Sequence, residues 1–104
     1  MARAFESGPA GTEMAQTEKR IVTISNQRGL HARAAAKFVK LAGEFESRIM
    51  VRNRGTEVSG VSIMGLMMLA ASTGTEIEIE ASGSDAKKAI NALNELVDAK
   101  FHEE

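Results

Sequence analysis

A chain of 104 residues with 43% hydrophobic and 26% charged side chains can bury one modest core but not a second, and it is too apolar for global disorder. A net charge of -1, four Phe and no Tyr or Trp give no basis for non-specific nucleic-acid binding by phosphate neutralisation or base stacking. With no cysteine, a disulfide framework, a zinc–thiolate site and a thiol nucleophile are excluded together, which fits a reducing cytoplasm.

Residues 1–17 hold Gly8, Pro9, Gly11 and small polar residues without periodicity, and they read as a flexible extension. They contain no apolar run of the kind a secretory signal needs. The domain is placed at 18–104. "EKRIVTISN" is rich in β-formers and predicts a strand ending near Asn26. Ala35, Phe38, Val39 and Ala42 fall at i, i+3, i+4 and i+7, predicting a helix over 32–43 with Gly43 as its stop. "ESRIMVRNRGTEVSG" reads as a hairpin turning at "NRG", with Ile49 and Val51 on one face.

A short helix over 62–70 follows, capped by Ser62, with Leu66 and Leu69 assigned to the core. The apolar run "VSIMGLMMLAAS" is too short and too punctuated to cross a bilayer, so no membrane insertion is expected. In "TEIEIEAS", Ile77, Ile79 and Ala81 alternate with Glu76, Glu78 and Glu80, giving a strand with one buried and one wet face. The last element starts at Ser84, and Ala86, Ala89, Ile90, Leu93, Leu96 and Val97 keep helical spacing to about residue 100. The order β-α-β-β-α-β-α, with one polar strand face, predicts an α+β fold. It is a two-layer open-faced sandwich, a four-stranded antiparallel sheet with three helices on one side.

The chemistry centres on "RGLHARAAAKF". His31 stands where strand passes to helix, in the N-cap position, beside the unpaired N–H groups of Ala32, Arg33 and Ala34. A helix start carries partial positive charge and holds anions such as phosphate, and Arg33 can add a charge-assisted contact. No acidic residue lies between Glu18 and Glu44, whereas Lys19, Arg20, Arg28, Arg33, Lys37 and Lys40 are basic. Positive surroundings favour the uncharged imidazole with a ring nitrogen free for attack, as a phosphoryl acceptor requires. From spacing alone, a polar cap in a solvated turn is the commoner role for such a histidine, so both readings stand.

"GLHARAAAKFVKLAGEF" resembles the active-site segment of the histidine-containing phosphocarrier (HPr) family of the phosphoenolpyruvate-dependent phosphotransferase system, whose motif runs G-[LI]-H-A-R-P-A. "VSIMGLMMLAAS" and "GTEIEIEASGSDAKKAINAL" resemble that family's second-helix and C-terminal segments, and the likeness covers about residues 20–100. The resemblance implies that His31 is phosphorylated on Nδ1 by phosphorylated enzyme I and passes the group to a histidine of an enzyme IIA-type protein. It implies that Arg33 is the active-site arginine and that Ser62 matches a serine modified in some bacteria by an HPr kinase/phosphorylase. A partner surface of Arg28, Lys37, Ile63, Met64 and Met67, a monomer, a cytoplasmic location and no cofactor are expected with it. The chain would have no turnover of its own, its output being sugar uptake or a nitrogen-related regulatory branch. A docking module in which His31 is only a cap is the rival from another class.

Three positions depart from the family pattern. Ala34 replaces the usual proline, Arg28 stands where Asn or Ser is common, and Val61 precedes Ser62 where kinase-regulated members carry lysine. Flexible methionines at 64 and 67 suit a surface that fits several partners in turn. Same-face residues of a strand are about 7 Å apart, so Glu76, Glu78 and Glu80 read as a solvated face paired with Arg48 or Arg52. His102 reads as a frayed, exposed residue without a role, and no metal site is expected.

Overall fold

Alternation and helical periodicity lead to the expected two layers. The structure, a computed structural model, describes residues 16–103. The stretch assigned to a flexible extension lies mostly outside them. Strand β1, Thr17–Thr23, already includes Thr17, and Gly83 donates its N–H to the Gln16 carbonyl at 2.8 Å. Helix α1 spans Ala32–Ala42, β2 Arg48–Asn53, β3 Thr56–Ser59, α2 Ile63–Met68, β4 Glu76–Ser82 and α3 Ala86–Asp98. A single 3-10 turn, Lys100–His102, closes the described chain. The sheet order is β1-β4-β2-β3, and every neighbouring pair is antiparallel.

Period-2 alternation places Val22 and Ile24, Ile49 and Val51, and Ile77, Ile79 and Ala81 on the face the helices cover, and all seven are buried. The helices meet them with Ala35 and Phe38 of α1, Leu66 of α2, and Ala89, Ile90, Leu93 and Val97 of α3. Leu69, just past α2, is buried as assigned. The opposite face is open, and there Arg52 pairs with Glu57 at 2.6 Å, Glu78 at 3.1 Å and Glu80. The Arg52 hydrogen bond holds the Glu80 carboxyl below the usual range. The three strand glutamates therefore belong to a solvated face, where Arg52 rather than Arg48 is the partner of Glu78 and Glu80.

Several boundaries differ from the periodicity. β1 stops at Thr23 because Ile24 leaves the ladder to exchange backbone bonds with the 74–75 turn, donating to Thr75 O at 2.8 Å and accepting from Gly74 N at 2.7 Å. The hairpin turns on Arg54 and Gly55, both at positive φ (52° and 86°), the geometry whose twist matches two-residue hairpins. α3 is capped by Asp85, not Ser84, and Asp85 makes no cap bond to its own helix. Its carboxylate instead accepts from Glu46 N and Ser47 N, both at 2.9 Å, and from Ser47 Oγ at 2.5 Å. It thus ties the start of α3 to the connection between α1 and β2. Among the described residues no helix is long and apolar enough to cross a membrane.

These three donors, the Ser47 hydroxyl first, hold the Asp85 carboxyl below the usual carboxylate range. A carboxylate with a depressed folded-state pKa adds stability above its unfolded pKa and loses it as pH falls through the folded one. Asp85→Asn should therefore lower the urea midpoint at pH 7. In paired melts, its deficit against the parent should shrink steadily once pH drops below about 4.

Candidate functional site

The site is built where β1 gives way to α1, and Gly29 sets its shape. Gly29 has φ +68°, and a Cβ there would stand 2.6 Å from Ala71 O and 2.9 Å from Ser72 Cα. Only glycine allows the loop to lie against that segment, to which Leu30 N–H bonds through Ala71 O at 2.8 Å. Leu30 is buried as an anchor, and the next residue is delivered to the helix start.

That residue, His31, is the N-cap of α1, with extended backbone (φ -80°, ψ 179°). Its Nδ1 accepts the Arg33 N–H at 3.3 Å, a long bond, and its carbonyl accepts the Ala35 N–H at 2.8 Å. Its Nε2 lies 3.2 Å from Glu103 Oε1. An ionised carboxylate only accepts, and an amide N–H only donates. The two contacts together therefore define the ring: the proton is on Nε2 and the lone pair is on Nδ1, facing the helix start.

Arg28, Arg33, Ala34, Lys37, His102 and Glu103 line a cleft of about 290 Å³ beside the ring. Ala32 and Arg33 are exposed, and Ala34 is buried against the core. The Arg33 guanidinium pairs with no carboxylate among the described residues, so its charge is available to an anion in the cleft. Lys37 is engaged otherwise: its ammonium donates to Phe101 O at 2.7 Å and fastens the end of the chain to α1.

Two residues of the site escaped the sequence reading, Asn26 and Glu103. Asn26 is 1% exposed, and its Nδ2 donates to Gly29 O and to Glu103 Oε1, both at 2.7 Å. The Asn26 hydrogen bond is the main reason the Glu103 carboxyl sits below its usual range; burial opposes it, while the His31 ring and the Arg28 N–H add to it. The long basic stretch thus acquires a carboxylate from 72 residues away. Nor is the tail frayed. Phe101 is buried, and Lys100, Phe101 and His102 all take positive φ (57°, 55° and 57°). His102 itself is exposed, at the edge of the cleft. Phe101 next to acidic residues was the available signal, an apolar anchor able to bring a carboxylate back to the domain.

Ser62 caps α2 as expected, accepting Gly65 N–H at 2.9 Å. Ile63 (41% exposed), Met64 (74%) and Met67 (44%) do lie at the surface, joined there by Val61 and Met68. No group of three or more His, Cys, Asp or Glu able to hold a metal occurs among the described residues.

A family model described as the PTS HPr component phosphorylation site matches residues 18–99. The phosphocarrier protein HPr of Neisseria meningitidis serogroup A is 47% identical over 85 residues, 82% of this chain and 96% of that protein. The phosphocarrier protein NPr of Shewanella violacea is 45% identical over 85 residues, 82% of this chain and 93% of that one. A crystal structure of HPr from Thermoanaerobacter tengcongensis superposes with a TM-score of 0.80 at 42% identity, covering 84% of this chain and 98% of that one.

Replacing Gly29 by Ala forces a Cβ into a left-handed residue and into the Ala71 carbonyl. The variant should lose at least about 2 kcal/mol in chemical denaturation. Amide shifts should change most around Leu30–Arg33 and Ala71–Ser72.

Proposed function

The chain belongs to the HPr family of phosphocarriers of the phosphotransferase system, and we propose that its own phosphoryl group is carried on Nδ1 of His31, taken from phosphorylated enzyme I and passed to an enzyme IIA-type protein. The observation that carries this reading is the ring's double commitment: Arg33 N–H on Nδ1 and Glu103 on Nε2. The nitrogen bearing the lone pair is the one at the positive end of α1.

The chemistry follows from that placement. As the Nδ1 lone pair commits to phosphorus, it releases the Arg33 N–H, which can turn to a phosphoryl oxygen. The first-turn amides of Ala32 and Ala34 and the Arg33 guanidinium face the same charge, spread in the transition state over three oxygens. None of these groups must be deprotonated or moved far. The chain supplies an acceptor and a charge environment, while partners supply donor and recipient, so no turnover of its own is expected. Ala34, unlike proline, keeps an N–H in the first turn, and α1 forms with it in place. The exposed apolar patch at Ile63, Met64 and Met67, with Arg28 at the cleft, is the surface on which partners would dock.

Ser62 is a second candidate, for regulatory phosphorylation. Its Oγ already serves as a cap acceptor, and a phosphate there would place negative charge beside the docking patch, an off-switch for acidic partners. The output would lie either in sugar uptake or in a nitrogen-related regulatory branch, and the identity of the IIA protein that accepts the group would decide between them.

With phosphoenolpyruvate, magnesium and a bacterial enzyme I, intact mass should rise by one phosphate that brief acid removes, and His31→Ala should take up none. Arg33→Ala should accept the group about tenfold more slowly or worse. Folded protein that never gains the phosphate from its cognate enzyme I would leave the docking module as the better account. In that case His31→Ala should keep its partners and lose only roughly 1 kcal/mol with the cap.

A further inference from the structure

We propose that Asn26 and Glu103 form a fixed counter-charge unit for His31, in which the buried amide holds the carboxylate on Nε2 to stabilise the positive charge the ring acquires when Nδ1 is phosphorylated. This rests on the reading of His31 as the acceptor, and it assigns a role to two residues which that reading leaves unused.

Asn26 is held from several sides. Its backbone carbonyl accepts Gly29 N–H at 3.2 Å and the Thr73 hydroxyl, and its Nδ2 is shared between Gly29 O and Glu103 Oε1. Its Oδ1 is buried without a partner among the described residues. An interior amide left with one end unsatisfied is poorly explained as packing, whereas its other end fixes the Glu103 carboxylate at the histidine. Glu103 is brought to it by the left-handed turn, by the buried Phe101 and by the Lys37 bond to Phe101 O. One oxygen, Oε1, receives both Asn26 Nδ2 and His31 Nε2. The other charged or titratable groups around the ring are Arg28 from the loop, Arg33 and Lys37 from α1, and His102 from the terminal turn. Among the described residues, Glu103 is the only anion there.

The transfer then balances without a proton leaving the site. The Nδ1–P bond forms, and the bond from phosphorus to the donor breaks with its electron pair remaining on the donor. The ring becomes an N-phosphoimidazolium that keeps its Nε2–H, opposite the Glu103 carboxylate. In the onward step neutral imidazole leaves, a far better leaving group than the imidazolate that departs from a ring without the Nε2 proton. The pair thus keeps the carried group ready for transfer, at the expense of its resistance to hydrolysis. Glu103 and Asn26 act here as positioning residues, since neither touches the phosphoryl group.

The test compares full-length wild type, Glu103→Gln and Asn26→Ala after phosphorylation by phosphoenolpyruvate and enzyme I. Phosphorus NMR follows the pH at which the Nε2 proton is lost, and intact mass follows the lifetime of the phosphate. Glu103→Gln keeps the shape and removes the charge. Its midpoint should fall by at least about half a pH unit, and near the wild-type midpoint its phosphate should last at least about twofold longer. Asn26→Ala, if its sheet amide shifts stay native, should move the same way by a smaller amount. A phosphorylated Glu103→Gln with unchanged midpoint and lifetime would overturn the proposal. Should no protein, wild type included, accept phosphate, the acceptor reading fails separately. The counter-charge is then read on the free ring, where a proton-NMR titration of His31 that is the same in wild type and Glu103→Gln overturns it and a lower midpoint in Glu103→Gln upholds it.

Discussion

The bond from the Arg33 amide to Nδ1 of His31 is the constraint around which the site is organised. A helix start leaves backbone N–H groups without partners, and serine, threonine, aspartate or asparagine ordinarily supplies the acceptor. Here an imidazole does so, which orients its lone pair along the positive end of the helix. On the proposed reading, cap and chemical group are one role seen in two states. On that reading the bond that completes the resting helix is the one given up when the nitrogen meets an electrophile. At 3.3 Å it is long enough to be surrendered cheaply.

The remainder of the domain serves to place that ring. Gly29 permits the loop to pass within touching distance of Ala71 and Ser72, and Leu30 anchors it. The sheet supplies a rigid base because its inner face is closed by seven apolar side chains, and its outer face is knitted by Arg52 among Glu57, Glu78 and Glu80. Behind the histidine, the chain end returns through three consecutive left-handed residues, each costing roughly 1–2 kcal/mol. Such a turn persists only where something over-determines it, and Phe101 in the core and Lys37 on its carbonyl do so.

Much of this was legible from residue order. Ile77, Ile79 and Ala81 alternating with glutamates left one reading for β4, and the Ala86-to-Val97 spacing left one for α3. The place of His31 at the start of α1 was legible because a short motif carries it, and the family likeness was needed to propose more for it than an ordinary cap. What escaped notice depended on contacts distant in sequence. Asp85 reads locally as a cap or first-turn acid, yet its carboxylate turns to Glu46 and Ser47, 38–39 positions earlier. Asn26 reads as a turn residue at a strand end, yet it is buried and bonded to Glu103, 77 positions later. A terminal "KFHEE" reads as solvent-bound because local pattern does not register one buried aromatic at a chain end. The basic surroundings read for His31 were accurate along the chain and incomplete in space, since the neutralising carboxylate comes from the other end.

The measurement that reaches the central claim most directly is the site of the nitrogen–phosphorus bond. In uniformly 15N-labelled protein phosphorylated by phosphoenolpyruvate and enzyme I, phosphorus–nitrogen couplings on the imidazole distinguish the two ring nitrogens. The account predicts a one-bond coupling to Nδ1 of His31, with Nε2 still bearing its proton and the Arg33 amide shifted as it turns to the phosphate. A one-bond coupling to Nε2, or a phosphate on any other residue, would contradict it, because the resting bonds leave only Nδ1 with a lone pair at the helix start.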